Sequence, residues 1–455
     1  MLPATVRRRP GVPAVGSLPQ EATTVNLFQE LEARGLIHQV SAHEEPLAKA
    51  LERPQVVYAG FDPSAPSLHV GNLVPLLGLR RFQQAGHTVI ALAGGATGLI
   101  GDPSGKNEER NLLGRDALAH NLASIKRQLE RFLVLDGQRG VMVDNLDWTG
   151  ELRLLDFLRD VGKHFAVNVM VKKDSVKNRI EREGEGISFT EFSYSLLQAN
   201  DYLVLARERG CTVQVGGSDQ WGNITAGIDL CRRALGRHVY GLTFPLLMNS
   251  DGSKFGKTAR GAVYLDPAMT SPFAFRQFWF NTPDADVITR LRLFSFLPVD
   301  EIAALERKVQ EKSAPNEAQR VLARHMTEMV HGADEAERVE RAVEVLFSHG
   351  SRDDLLKVPA EYLEQAFDGA PVVELERARL AGEGLSLLDL VVHAVYGGGE
   401  KRGQAKRDIA QDKSIALNGE KVVDPERRVT GADLLHDRTL VVRKGKKGYV
   451  LVRAV

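Results

Sequence analysis

The sequence predicts a multidomain α/β protein: a parallel sheet covered by helices, then an α-helical domain, then a small α+β domain at the C-terminal end. Three observations carry this. From about residue 55 to 250, short β-branched runs alternate with helix-patterned segments, the rhythm of βαβ units. Beyond residue 270 the pattern is all helical up to about residue 348. From about residue 380 a helical start and a basic helix lead into an Asn-Gly turn and two strand-like runs. With 455 residues, the chain has room for several modules of ~150 residues each.

Taken in order, residues 1–24, within "MLPATVRRRPGVPAVGSLPQEATTV", are Pro-rich with three arginines and lack the apolar core of a secretory signal. They read as a disordered extension, with a transit peptide as the alternative. In the first domain, residues 25–270, "VVYAG", "HTVIALAGG", "GVMVDN" and "TVQVGG" read as strands and "LLGLRRFQQAG" as a helix. A parallel sheet of this kind binds ligands at the carboxyl ends of its strands. The helical domain, 271–350, runs through "SPFAFRQFWFN" and "VITRLRLFSFL" until "SHGSRDD" breaks it. A linker is expected over 351–380. The last domain, 381–455, carries the helix "KRGQAKRDI" and then "SIALNGEKVV", whose Asn418-Gly419 pair signals a type I′ hairpin. It ends in "TLVVRKGKKGYVLVRAV", two strands around a lysine-rich turn. No internal repeat is visible.

Composition narrows the class. Hydrophobic residues at 43% and charged residues at 26% are ordinary for a soluble globular protein, and no apolar run approaches the ~18 residues of a membrane span. Cys211 and Cys231 have neither CxxC nor Cys/His spacing, which argues against a zinc site or a disulfide framework and fits a reducing cytoplasm. Net charge is zero, yet residues 401–455 hold 14 lysines and arginines against 7 acids. That end is built to meet an anionic partner, with Lys401, Arg402, Lys406 and Arg407 on the basic helix and Lys444, Lys446 and Lys447 at the turn.

Several short segments could carry chemistry. In "FDPSAPSLHVGN" a helix must begin near Gly71 or Asn72, because Pro75 is tolerated only in a first turn. His69 and Asn72 then sit at a helix N-terminus, which suits phosphate, and Gly71 lets a ligand approach the backbone. A capped helix with a surface histidine is the plainer reading. "GGATGLIGDPSGKNEER" fails as a Walker A motif, since Ile100 and Asn107 stand where Gly and Ser/Thr would be needed. Gly95, Gly98 and Gly101 still suggest close backbone approach, and Asp102 is placed to reach a ligand's ammonium group.

In "SFTEFSYSLLQANDYLVLARERG", Ser188 and Glu191 form a capping box, and Tyr194, Gln198 and Asp201 follow at i, i+4 and i+7 on one helix face. That face is either solvated, opposite Leu196, Leu197 and Leu203, or buried around a small polar ligand. "QVGGSDQWGN" places Ser218, Asp219 and Gln220 between a strand and a helix, where a nucleotide's sugar could be read. "SDGSKFGKT" puts Lys254 and Lys257 on a Gly/Ser-rich loop that could close on a polyphosphate, or simply be a solvated basic loop.

Together these segments resemble one family. "HVGN" resembles the HIGH signature and "KFGKT" the KMSKS signature of class I aminoacyl-tRNA synthetases. "YAGFDPSAPSLHVGNL", "GGATGLIGDPSGK", "TEFSYSLLQAND", "GGSDQWGNI" and "LLMNSDGSKFGKT" are similar, in order, to bacterial tyrosyl-tRNA synthetases. The resemblance extends from about residue 25 to the end and implies a Rossmann-like catalytic domain, an anticodon-binding helical domain and an S4-like RNA-binding domain. Asn72 in place of the second His, and Phe255-Gly256 in place of Met-Ser, are departures from the general signatures.

The resemblance implies activation of L-tyrosine by ATP to tyrosyl-adenylate and pyrophosphate, then transfer to the 3′ end of tRNA(Tyr). Tyr58 and Asp201 fall to the phenolic hydroxyl, and Tyr194, Gln198 and Asp102 to the ammonium group. Gly60, Asp62, Gly217, Asp219 and Gln220 fall around adenosine, and His69 and Asn72 at the phosphates. Lys106, Arg110, Lys254, Lys257 and Thr258 fall to the departing pyrophosphate, with Mg²⁺ arriving on ATP and no protein-built metal site. A pocket that requires a substrate hydroxyl needs no editing step; the ~10⁵-fold rejection of phenylalanine is this family's own known case and is borrowed from it. A homodimer without membrane association is also implied. The rivals are a noncatalytic RNA-binding relative, a nucleotidyltransferase without tRNA and tryptophanyl-tRNA synthetase. Intact His69, Lys254 and Asp201 disfavour the first, the basic C-terminal end the second, and the Tyr58/Asp201 pair the third.

Overall fold

The computed structural model of the chain describes residues 26–104, 113–173, 176–177, 180–181, 186–258, 261–347, 350–367, 370–445 and 448–455. These fall into two compact units, one formed by the chain up to Ser271 with Phe278–Met326, the other by Pro272–Gln277 with Thr327–Val455.

The first unit is built on a six-stranded sheet. Its strands are β1 (Gln39–Val40), β2 (Val56–Phe61), β3 (Thr88–Ala93), β4 (Gly140–Asp144), β5 (Val213–Gly217) and β6 (Tyr240–Phe244), in the order β1-β6-β5-β2-β3-β4. All neighbours are parallel except β1, which pairs antiparallel with β6 through Gln39 to Thr243 and Val40 to Leu242. β2 to β5 are the predicted strands and β6 extends their βαβ core, all of them apolar enough to be covered on both faces. At two residues, β1 is too short to leave a period in the sequence. The chain leaves β2 towards β3 on one side and returns as β5 on the other, so the order reverses between β2 and β5. That is where an open parallel sheet has a crevice at its carboxyl edge.

Helix Leu73–Gln84 lies against the sheet and buries Leu73, Val74, Leu76, Leu77, Leu79 and Phe82. Each large apolar side chain so buried contributes ~1.5–3 kcal/mol. Gly78 is what allows the approach, since a methyl there would stand 2.2 Å from the Phe244 ring. The same helix buries Arg81, whose guanidinium donates to Glu30 and to the carbonyl of Ser295, beside Arg34, which donates to the carbonyls of Ser295 and Leu297. The two arginines thereby satisfy carbonyls left open where helix Asp284–Phe294 ends. A two-stranded ribbon, β7 (Lys257–Thr258) with β8 (Gly261–Ala262), carries the lysine loop.

The second unit holds a five-stranded sheet in the order β12-β11-β14-β15-β9, built from β9 (Val372–Leu375), β11 (Ile415–Leu417), β12 (Glu420–Lys421), β14 (Thr439–Lys444) and β15 (Gly448–Ala454). A separate pair joins β10 (Leu385–Ser386) to β13 (Arg428–Val429). Asn418 at φ 50° and Gly419 at φ 86° make the predicted hairpin between β11 and β12.

Two expectations differ from this architecture. Residues 351–380, expected as a linker, instead hold helices Arg352–Lys357 and Ala360–Ala366 and then β9, which pairs in parallel with β15. Leu355, Tyr362, Leu363 and Phe367 are drawn in by a shared core with Val339, Leu346, Leu435, Val441 and Leu451. The helices of 271–350, expected as one domain, divide between the units. Phe273 packs with Val339 and Tyr362, and Arg276 pairs with Glu340 at 3.0 Å, whereas Trp279 and Phe294 pack around Phe255. The expected extension at 1–24 lies outside the described residues.

Candidate active site

At the reversal point the strand ends present two polar clusters. Tyr58, on β2 and 1% exposed, sets its ring edge-on to Tyr202 at 5.2 Å. Its hydroxyl is buried with no hydrogen-bond partner among the described residues. Burial, and next the charge of Asp201, raise the phenol's pKa well above its ordinary value, so it stays protonated. Asp201, on helix Phe189–Glu208 and 2% exposed, accepts from Asn145 Nδ2 at 3.0 Å and from Trp148 Nε1 at 2.9 Å. Burial pushes its carboxyl up to about 7, against the pull of those two donors. A buried hydroxyl without a partner costs ~1–3 kcal/mol, which a ligand bringing its own hydroxyl would relieve.

The second cluster lies around Asp62. Tyr194 is buried and donates its hydroxyl to Asp62 Oδ2 at 2.8 Å, while Thr97 donates to Oδ1 at 2.6 Å. Burial, then Asp62 and Asp102, keep the Tyr194 phenol protonated by raising its pKa well above the usual range. Asp102 is also buried; its Oδ1 accepts from the backbone N–H of Ser104 at 2.9 Å and its Oδ2 from Gln220 Nε2 at 2.6 Å. Asp219 sits next to it, its pKa raised by burial and then by the charge of Asp102. Gln198 is half-buried on the same helix as Tyr194 and Asp201. Gly60 is the one exposed residue of β2, leaving the backbone open to a ligand.

The Tyr194/Asp201 face turns inward and is not solvated: Leu203 is buried, but Leu196 and Leu197 are only half-buried. Ser188 caps this helix by accepting from the Glu191 N–H at 3.3 Å. Other glycines serve the protein itself. A Cβ on Gly95 would meet Asp144 Oδ1 at 2.2 Å, and one on Gly98 would meet Leu118 and Pro63.

The two signature loops are physically joined. His69 caps the turn Val70–Asn72 ahead of helix Leu73–Gln84, accepting the Gly71 N–H on Nδ1 at 3.0 Å, while Asn72 Oδ1 accepts the His69 N–H at 3.0 Å. The Gly71 N–H is thus taken by the His69 ring, and a Cβ at Gly71 would strike that ring at 2.8 Å. Val70 N donates to Val263 O, and Val263 N to Gly256 O. Gly256 is buried at φ +80°, and a Cβ there would lie 2.8 Å from Val70 Cγ2. Phe255 is held among Phe278, Trp279 and Phe294 at 5.4–5.7 Å, with the Arg290 guanidinium over its ring at 5.0 Å. Lys254, Lys257 and Thr258 are exposed on the loop so anchored. Lys106 and Arg110 lie outside the described residues.

Sequence reasoning missed Asn145, Trp148, Thr97, Ser104 and Asn223. Asn145 directly follows β4 at the carboxyl edge of the sheet, the one signal that could have marked it. Trp148, three residues on, reads as an ordinary core aromatic until the fold carries it to Asp201.

In the second unit, Lys401, Arg402, Lys406 and Arg407 are exposed on or beside helix Arg402–Ala410. Arg402 pairs with Asp389. Lys444 is partly neutralised, reaching Asp408 at 2.8 Å and the Tyr396 hydroxyl. Lys446 and Lys447 lie outside the described residues. Among the described residues no group of three His, Cys, Asp or Glu side chains is placed to hold a metal, and no helix is long and apolar enough to cross a membrane.

Comparison with known proteins gives the family. Residues 49–348 match the model of the class I tRNA synthetases (W and Y), and residues 362–452 that of the SYY-like C-terminal domain of tyrosine–tRNA ligases. A tyrosine–tRNA ligase of Opitutus terrae is 48% identical over 433 residues, covering 95% of this chain and 100% of that one. One of Laribacter hongkongensis is 49% identical over 430 residues, covering 94% and 98%. The solved C-terminally truncated mitochondrial tyrosyl-tRNA synthetase of Aspergillus nidulans has a TM-score of 0.64 at 35% identity, over 72% of this chain and 96% of that one. The chain belongs to the tyrosine–tRNA ligases, within the class I tRNA synthetases.

Proposed function

We propose that the chain joins tyrosine to tRNA in two steps at the β2/β5 crevice. A tyrosine carboxylate oxygen attacks the α-phosphorus of ATP in line, the bond to the β-phosphate oxygen breaks, and pyrophosphate leaves tyrosyl-adenylate behind. A 3′-terminal ribose hydroxyl of tRNA then attacks the tyrosyl carbonyl and AMP departs. The observation that carries the reading is the Tyr58 hydroxyl, without a partner among the described residues and buried near the Asp201 carboxylate. Together they offer a donor and an acceptor to a phenol and nothing comparable to a phenyl ring.

Asp102, Tyr194 and Gln198 take the ammonium group. Gly60, Asp62, Gly217, Asp219 and Gln220 line the adenosine side. His69 and the amide NH₂ of Asn72 meet the phosphates. Lys254, Lys257 and Thr258, with Lys106 and Arg110, stabilise charge gathering on pyrophosphate, more strongly in the transition state than on bound ATP. No side chain acts as a nucleophile. Mg²⁺ enters on the nucleotide, as part of the substrate. The basic helix of the S4-like domain grips tRNA through phosphate contacts.

The functional form is a homodimer in the cytoplasm. Leu154 and Phe189 are 71% and 78% exposed, and Leu155, Leu158, Val167 and Val169 are exposed nearby in sequence, an apolar surface that a second copy would cover. The buried free thiols Cys211 and Cys231 suit a reducing compartment. Amino-acid-dependent ATP–pyrophosphate exchange across the twenty amino acids tests the activity. Exchange with tyrosine alone is expected; exchange driven by tryptophan, or by none of the twenty, would defeat the reading.

A further inference from the structure

The segment after β3 and the helix after β5 are tied by a closed ring of hydrogen bonds, and one member of that ring has had no role so far. Asn223, 5% exposed in the first turn of helix Trp221–Leu235, donates from Nδ2 to Gln220 Oε1 at 3.2 Å and to Ser104 Oγ at 3.3 Å. Gln220 Nε2 in turn donates to Asp102 Oδ2, and the Ser104 N–H donates to Asp102 Oδ1. Both oxygens of a buried carboxylate are therefore held by partners that Asn223 itself holds.

The chemistry of the ring is directional. The two ends of a glutamine amide have nearly the same shape but opposite polarity, so Gln220 alone does not decide which end meets Asp102. A donor placed on Oε1 decides it, leaving Nε2 for the carboxylate. Without that donor, Gln220 is free to turn Oε1 towards Asp102, two acceptors would face each other in a buried site, and the carboxylate would have to move.

We infer that Asn223 is a positioning residue for tyrosine activation. It fixes the amide orientation of Gln220 and, with Ser104, aims the Asp102 carboxylate at the amino acid's ammonium group. This rests on the assignment of Asp102 to that group made above.

The test is a double-mutant cycle in tyrosine-dependent ATP–pyrophosphate exchange, with Asn223→Ala, Asn223→Asp and Gln220→Ala, each checked for an unchanged unfolding midpoint. Asn223→Ala is expected to raise KM for tyrosine about tenfold, the worth of one buried hydrogen bond, with kcat changed less than about threefold. Asn223→Asp keeps the shape but replaces the donor, and should lose at least as much. In the Gln220→Ala background Asn223→Ala should add less than about twofold, because the group it acts through is gone. Wild-type KM in Asn223→Asp, a full tenfold further loss in the Gln220→Ala background, or a loss confined to kcat would each overturn the inference. Absence of tyrosine-dependent exchange in the wild-type protein would instead defeat the proposed function.

Discussion

At the scale of single residues, the role proposed for Asp201 predicts that tyrosine binding depends on pH. Its carboxyl releases its proton only at about 7 because it is buried, and only the carboxylate is a full acceptor for a phenol. Tyrosine affinity should rise as pH increases through about 7 and level off above it, and this rise should be missing in Asp201→Asn; calorimetric titration from pH 5.5 to 8.5 checks both. The same shift has a stability sign. A carboxyl raised in the fold is harmless below its unfolded pKa of ~4, and its cost grows as pH rises to about 7, by roughly 4 kcal/mol. Ligand-free Asp201→Asn should therefore melt higher than wild type at pH 8 and no higher at pH 4. Asp201→Ala should lower kcat/KM for tyrosine by about 10- to 150-fold, the worth of a hydrogen bond to a charged group, with little change for phenylalanine. The spacing of Tyr194, Gln198 and Asp201 showed that they share a face. It could not show that the face turns inward, because Leu196 and Leu197 read as a core stripe yet stand half-exposed. Only the packing of helix Phe189–Glu208 over the sheet decides that.

At the scale of elements, loss of solvent beside the arginines at the end of helix Asp284–Phe294 creates a second titration. His325 is half-buried near Arg81, Arg80 and Arg34, and loss of solvent first, then those charges, bring its pKa down to about 4. A histidine held neutral in the fold supports stability above its unfolded pKa of ~6.5, and that support is lost as pH falls towards 4, by roughly 3 kcal/mol. Unfolding midpoints should drop over this window in the wild type and drop less in His325→Gln. Strands β2 to β5 were legible because β-branched runs bounded by glycine have few alternatives. The hairpin at Asn418-Gly419 was legible because few residue pairs accept two positive φ values. β1 was not, since two residues carry no periodicity, and neither was the contact at Gly78. Gly78→Ala should destabilise the protein by at least ~1–3 kcal/mol, as forced overpacking against Phe244 does, and chemical denaturation would show it.

At the scale of the whole molecule, residues 351–380 looked like a linker because no long period runs through them, while their apolar residues are spoken for by partners distant in sequence such as Leu435 and Leu451. A cut before residue 380 would remove those partners and β15 together, so loss of charging by that truncation would not isolate tRNA binding. Charge reversal at Lys401, Lys406 and Arg407 does isolate it, because all three are exposed. The triple variant should keep ATP–pyrophosphate exchange within about twofold, lose tRNA charging, and show a shallower salt dependence of tRNA binding. Filter binding over a salt series alongside the two assays is the check.

The central claim is that a phenol is read between β2 and helix Phe189–Glu208. A crystal structure of the protein with L-tyrosine tests it most directly. The tyrosine hydroxyl is predicted to lie within hydrogen-bond reach, about 2.6–3.2 Å, of both the Tyr58 hydroxyl and an Asp201 carboxylate oxygen. Tyrosine bound with its ring elsewhere, or with its hydroxyl touching neither group, would contradict the account.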